Sequence, residues 1–506
     1  MKSSPSLKVN ILANYASQLY SAGIGIVILP LYIKYMGAES YGLVGFFTML
    51  QAWFALLDLG LTPTIARETA RYYGGSMSAL HYRQLFRALS TIFVGTAVIG
   101  GTALWLLAEP IAYKWLQVET LSMNMVVVAV QIMAASVALR WLGGLYRGVI
   151  TGSERLVWLS GFNAIIATLR FPAVFITMWR YGFTPTVFFW HQLAVAIIEV
   201  LGLYLISNKL KPAVAKTELI GWSIQPVKPV LKFALTIAFT SSVWVLVTQT
   251  DKLILSGILP LAEYGFFTLA VLVASGIMIL SAPVSSVIMP RMTRLHTEGK
   301  HDEMIQVYRN ATQLVSVVAG SASLTIAFFA EPLLYAWTGD KEIASNAAPI
   351  LTLYALGNGV LAVSAFPYYL QYALGNLRYH LIGNLVIVIT LIPTIIWAAS
   401  EHGGVGAGWA WLSINSLYLI LWVGYVHHKL QPGVHVGWLS KDILGIYAPV
   451  ILLLFLANAY MSYQTRQEAL FSVVVLSFFA ISVATVSSSV ARKVLNKKLF
   501  SGKCKL

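Results

Sequence analysis

Charge is what this sequence has least of: only 10% of its 506 residues are Asp, Glu, Lys or Arg, while 58% are hydrophobic. Soluble domains average about 25% charged and 45–50% apolar residues, so a water-exposed fold is excluded. Cysteine is nearly absent, and a single Cys504 allows neither a disulfide framework nor a cysteine metal site. The longest hydrophilic stretch, 207–230, is too short for a folded domain and holds no GxxxxGK[ST] phosphate loop, which excludes an attached ATPase. HExxH and GxSxG are missing too, and the remaining loops are short. No catalytic activity, metal or cofactor is therefore expected.

Long apolar runs recur from end to end, the signature of bilayer-spanning helices. The fold class read from them is an all-α polytopic membrane protein with about fourteen spans. They fall at roughly 10–33, 41–64, 87–107, 122–144, 156–179, 185–206, 231–257, 262–286, 311–330, 346–370, 379–399, 405–427, 443–462 and 468–490. The first run is too long for a signal-peptide core and is expected to remain as a span. Most of the 34 Lys and Arg fall in alternate loops, which by the positive-inside rule predicts that both termini are cytoplasmic. The same placement accounts for the net charge of +15 without nucleic acid. The tail run Arg492, Lys493, Lys497, Lys498, Lys503 and Lys505 suits anionic lipid headgroups instead.

Sliding the chain on itself by 222 residues superposes Ala108, Glu109, Pro110, Tyr113 and Trp115 on Ala330, Glu331, Pro332, Tyr335 and Trp337. Close to that offset Tyr41-Gly42 meets Tyr264-Gly265, Arg71 meets Arg294, and Asn163 and Pro172 meet Asn384 and Pro393. The repeat spans helices 1–6 and 7–12. Six is even, so the copies share one orientation and their pseudo-twofold axis runs along the membrane normal. The expected organisation is an N-lobe over 1–206, a cytoplasmic linker over 207–230, a C-lobe over 231–430, and two added helices with the basic tail over 431–506. Such a pair of parallel bundles suits a transporter that exposes a central cleft alternately to either face.

Inside the spans lie Asp58, Arg140, Arg170, Glu199 and Asp251, with His191 beside an interfacial Trp190. Each intramembrane charge costs roughly 2.5–3.5 kcal/mol, so these must pair or face water. Arg170 and Glu199 each lie about 21 Å from one end of their helices, near the bilayer centre. Arg170 has no repeat counterpart, since Leu391 stands there, and it is read either as an anion contact or as a structural partner of Glu199. Glu199, Asp58 and Asp251 are candidates for ion coupling or structural pairing, Asp58 also as a local cap where Gly60 and Pro63 interrupt helix 2. Arg147 and Arg291, with Arg67, Arg71, Arg87, Arg155 and Arg294, stand at expected cytoplasmic helix ends, as topology anchors or as a rim that draws an anionic headgroup. Arg170, Arg140, Arg147 and Arg291 form the candidate substrate-binding set. Pro30, Pro172, Pro283, Pro367 and Pro393 are expected to kink spans.

The stretch Tyr41 to Arg71, YGLVGFFTMLQAWFALLDLGLTPTIARETAR, resembles the second helix and following loop of bacterial polysaccharide transporters, the O-antigen flippase type. The wider group is the multidrug, oligosaccharidyl-lipid and polysaccharide exporter superfamily. This resemblance implies two six-helix lobes around a cationic cavity. It further implies a flippase that moves undecaprenyl-diphosphate-linked oligosaccharide from the cytoplasmic to the periplasmic leaflet of the bacterial inner membrane, driven by an ion gradient. Lipid-linked oligosaccharide and membrane lipid are the partners it implies, with a glycan polymerase and a chain-length regulator as further ones. Many members resemble a twelve-helix plan, from which helices 13 and 14 depart. A cation-coupled multidrug exporter of the same superfamily is the alternative, although cationic drugs favour carboxylates over a basic rim. A membrane-embedded glycan polymerase or acyltransferase is a second, set against the want of a large external loop.

Overall fold

A computed structural model describes residues 7–214 and 218–489. Lys216 and the basic tail from Arg492 onward lie outside them. Among the described residues the chain is helical, with one isolated bridge between Gln117 and Pro260 and no strand. A bilayer core offers no water to backbone groups, so a run this apolar must satisfy its N–H and C=O groups within each helix. The chain gathers into two compact units that divide after Gly265.

The first unit holds α1 (Leu7–Met36), α2 (Ala38–Phe54), α3 (Leu61–Tyr73), α4 (Ala79–Leu106), α5 (Met123–Gly152), α6 (Leu156–Arg170), α7 (Val174–Tyr181), α8 (Pro185–Leu210) and α9 (Lys228–Ile258). Thus α9, the first span of the expected C-lobe, is gathered with the first unit. At its centre stands α5, with α8, α3 and α4 around it. A glycine stripe lets α3 come that close: a Cβ on Gly148 would lie 2.3 Å from Ile65 Cγ2 and 2.8 Å from the Thr62 carbonyl oxygen. At Gly152 a Cβ would lie 2.2 Å from the Ala66 oxygen. Small residues four apart are what membrane helices use to bring backbones together when water gives no drive.

The second expected span, 41–64, ends earlier than its apolar run. A 3₁₀ turn over Ala55–Asp58 is followed by Leu59 and Gly60 in the left-handed region, φ 46° and 69°. The chain thereby turns, and α3 starts afresh with its first N–H groups unpaired. Asp58 supplies acceptors for them: both carboxylate oxygens take the Thr62 N–H at 3.2 Å, and Oδ1 takes the Thr62 hydroxyl at 2.5 Å. This is the local cap that the Gly60–Pro63 interruption suggested.

The second unit takes most of α10 (Leu261–Thr297), then α11 (His301–Val315), α12 (Ser321–Phe328), α13 (Ala330–Thr338), α14 (Lys341–Ser364), α15 (Phe366–Ala373), α16 (Arg378–Leu417), α17 (Val423–Leu430), α18 (Gly445–Tyr460) and α19 (Arg466–Ser487). Thirteen helices among the described residues are long and apolar enough to cross a membrane, and the longest run covers 53 residues, 378–430. That is about 80 Å of helix against a hydrocarbon core of about 30 Å. Its backbone breaks at His402 and Gly403, where φ is 56° at the glycine. It therefore provides two crossings, as the expected spans 379–399 and 405–427 require, and the total is about fourteen.

The two added helices, α18 and α19, are fastened to the second unit. Ile446, Val450, Leu454, Val473 and Ala480 join Val317, Leu324 and Phe329 in one buried cluster. Near one end of the pair Arg309 Nε donates to the buried Asp442 at 2.6 Å, with Gln313 Nε2 at 2.7 Å. At the other end Arg466 donates to the carbonyls of Ala336 and Trp337 at 2.5 and 2.7 Å. The opposite face of α19, with Phe471 and Phe478, is open and apolar, as lipid contact requires.

Candidate functional site

Three pairs of polar residues, each pair seven apart, face one another inside the first unit: Arg140 and Arg147 on α5, Asn163 and Arg170 on α6, Gln192 and Glu199 on α8. Seven residues are nearly two helical turns, so each pair points the same way with about 10.5 Å between its members. The result is a two-tiered polar seam through apolar helices.

The end of α6 is what brings Arg170 into that seam. Pro172 has no N–H and cannot continue the helix, which leaves the last carbonyls of α6 without intrahelical donors. Each is met by a side chain. The Leu169 carbonyl accepts from His191 Nε2 at 2.9 Å, the Arg170 carbonyl from Gln192 Nε2 at 2.9 Å, and the Phe171 carbonyl from the Tyr32 hydroxyl at 2.9 Å. Because Nε2 of His191 faces a carbonyl it donates to it, while Nδ1 lies 2.8 Å from the Thr177 hydroxyl. His191 thus caps the α6–α7 break. Of the five prolines, Pro172 and Pro367 stand at interruptions, while Pro30, Pro283 and Pro393 are carried inside continuous helices.

In the tier nearer the C-terminal end of α5, Glu199 is held by two arginines. Arg170 Nη2 donates to Oε2 at 2.7 Å and Arg147 Nη2 donates to Oε1. Arg147 also donates to Asn163 Oδ1 at 2.7 Å. In the other tier Arg140 donates to Gln51 Oε1 at 2.6 Å and to Gln192 Oε1 at 2.9 Å, with its guanidinium 5.0 Å from the Phe47 ring centroid. The seam therefore holds three guanidiniums and one carboxylate, which two of them bind. The Glu199 side chain is 6% exposed, whereas those of Arg147 and Arg170 keep 31% and 25% exposure. The Nε atoms of Arg140 and Arg170 are buried donors without a hydrogen-bond acceptor among the described residues. Uncompensated positive charge with free donors in a low-dielectric setting has one natural complement, an anion rich in acceptors. Guanidinium geometry suits phosphate oxygens.

Of the seven sequence candidates, Arg140, Arg147, Arg170 and Glu199 come together here. The other three stand elsewhere. Asp58 caps α3 as described. Asp251 is buried and accepts from the Lys252 N–H at 2.8 Å and from Lys252 Nζ at 3.2 Å. Arg291 lies exposed on α10 in the second unit. Sequence reasoning missed Gln51, Asn163 and Gln192, which complete the seam. The seven-residue spacing was the signal for the last two, while Gln51 on α2 has no such partner.

A family profile described as "Polysaccharide biosynthesis protein" matches residues 7–296, more than half of the chain. No curated protein matches the sequence. Among solved structures, the lipid II flippase MurJ in an inward closed conformation is 14% identical, with a TM-score of 0.72 over 96% of this chain and 100% of that one. A multidrug resistance MATE family transporter of the MOP superfamily, inward-facing, is 12% identical with a TM-score of 0.62 over 85% and 100% of the two chains. The MATE multidrug transporter DinF-BH is 14% identical with a TM-score of 0.57 over 86% and 98%. At such identities the likeness is one of fold.

Proposed function

Since the chain belongs to the polysaccharide biosynthesis protein family, we propose that it is a flippase for undecaprenyl-diphosphate-linked oligosaccharide, an O-antigen or other surface polysaccharide repeat unit. It moves this lipid from the cytoplasmic to the periplasmic leaflet of the bacterial inner membrane by ion-coupled alternating access, with both termini cytoplasmic. The observation that carries the reading is one polar seam with three guanidiniums and a single carboxylate: Arg147 and Arg170 bind Glu199, and Arg140 stands in the adjoining tier on Gln51 and Gln192. A diphosphate supplies the negative charge that the cluster lacks. Glu199 acts as the resident counter-ion, which a diphosphate displaces from Arg147 and Arg170 as it enters, and its release is the step at which a coupling ion is taken up. Exposed arginines at helix ends, Arg291 among them, draw the headgroup towards the protein. The two lobes are the rocking bodies, with α9, which the structure gathers with the first unit, moving with the N-lobe. A glycan polymerase and a chain-length regulator act on the product.

The test is export in cells. Arg170→Ala is expected to reduce surface polysaccharide at least tenfold at unchanged protein level in the membrane, with Arg170→Lys intermediate, because a lysine keeps the charge but not the two-pronged contact. Normal export by Arg170→Ala removes the cluster from the function. A cation-coupled multidrug exporter is the second reading, and the MATE-like fold favours it. It needs carboxylates free to meet a cation, whereas both oxygens of Glu199 are taken by guanidiniums.

A further inference from the structure

Beyond the arginine cluster the first unit contains a cavity of about 390 Å³ that the flippase reading leaves unused. It lies where the C-terminal half of α3, the start of α4 and the start of α9 meet, and Glu68, Arg71 and His81 line it together with apolar Met77, Leu85 and Pro229. Glu68 is fully buried. Its Oε2 accepts from Arg71 Nη1 at 2.9 Å, and its Oε1 has only Arg67 at 3.8 Å, beyond hydrogen-bonding distance. Among the described residues Oε1 therefore accepts no hydrogen bond, an unusual state for a buried carboxylate and one that a ligand donor would relieve.

The charges around the cavity select the ligand. Arg67 and Arg71 already outweigh Glu68, so an ammonium group is repelled. An anion would meet the Glu68 carboxylate. A neutral polyol satisfies both sides at once, one hydroxyl donating to Glu68 Oε1 and a neighbour accepting from Arg71, while its C–H faces lie on Leu85 and Pro229. The volume falls within the range of about 300–1,000 Å³ usual for small-ligand sites.

We propose that the Glu68–Arg71 cavity is a sugar subsite that binds a neutral monosaccharide of the transported oligosaccharide. The proposal rests on the flippase reading and adds a place where the glycan itself is recognised. It is tested on the full-length protein in nanodiscs by saturation-transfer NMR with a panel of methyl glycosides: a hexose, a 6-deoxyhexose, an N-acetylhexosamine and a hexuronate. At least one neutral glycoside is expected to receive saturation. Its signal falls at least fivefold in Glu68→Gln and in Met77→Trp, which fills the cavity without touching the ion pair, and is unchanged in Arg170→Ala. Absence of transfer to every glycoside, or equal transfer in Met77→Trp, overturns the proposal, and the latter variant decides should Glu68→Gln fail to fold. The flippase reading is scored separately on the same samples, by stabilisation with undecaprenyl diphosphate that Arg170→Ala loses, so either can fail alone.

Discussion

Replacing Glu199 with glutamine leaves the shape of the seam intact and removes its only negative charge. Arg147 and Arg170 would then face each other in a low-dielectric setting with Arg140 nearby. Breaking a buried pair from one side costs roughly 3–5 kcal/mol, because the remaining charge is left uncompensated. Here the two arginine side chains keep 31% and 25% exposure, so the lower end of that range, about 3 kcal/mol, applies. At an unfolding entropy of about 2 cal/mol/K per residue, a chain of 506 residues should lose about 3 °C in Tm. The assay is thermal unfolding in nanodiscs with and without inorganic pyrophosphate. Pyrophosphate should raise the Tm of Glu199→Gln more than that of the wild type, since it takes the place of the lost carboxylate. Adding Arg170→Leu to the variant should recover part of the lost stability. A Glu199→Gln protein that melts at or above the wild-type temperature, with equal pyrophosphate shifts in both, would refute the electrostatic account of the cluster.

Gly148→Leu should be poorly folded, since a Cβ already overlaps Ile65 and overpacking costs about 1–3 kcal/mol. Gly161→Leu, with open space around it, should be tolerated, and size-exclusion profiles of the two compare them directly. Lys211 sits just past α8, where burial and then the nearby Arg83 push its amine down to about 8 from an ordinary 10.5. The unfolded chain therefore binds more protons between about pH 8 and 10.5, and stability gained from this group rises with pH across that window. The difference in Tm between wild type and Lys211→Gln should change through this window and be flat below pH 7.

The spans were legible because hydropathy is a property of the chain itself, and so were the charges that lie within them. Buried charges in an apolar run have to pair or face water, which is why the sequence already offered pairing with Glu199 as one of two readings of Arg170. The end of helix 2 was read six to ten residues late for an equally plain reason. Leu59 and Leu61 keep the run apolar, while the turn is made by left-handed backbone at Leu59 and Gly60, which hydropathy does not register. Asp442 went unnoticed because it follows Lys441 at a span boundary and reads as solvated, yet it is fully buried under Arg309 and Gln313. Gln192 and Tyr32 depend on which carbonyls Pro172 sets free. Those partners come from distant helices and are fixed only by the fold.

The central claim, that this chain moves a polyprenyl-diphosphate-linked oligosaccharide between leaflets, is tested most directly by the leaflet distribution of that lipid in cells lacking the protein. Complementation with wild type and with Arg170→Ala completes the experiment. Lipid-linked oligosaccharide trapped on the cytoplasmic leaflet, released by the wild-type gene and not by Arg170→Ala, is the predicted result. A distribution unchanged by loss of the protein would contradict the claim and direct the search to small cationic substrates.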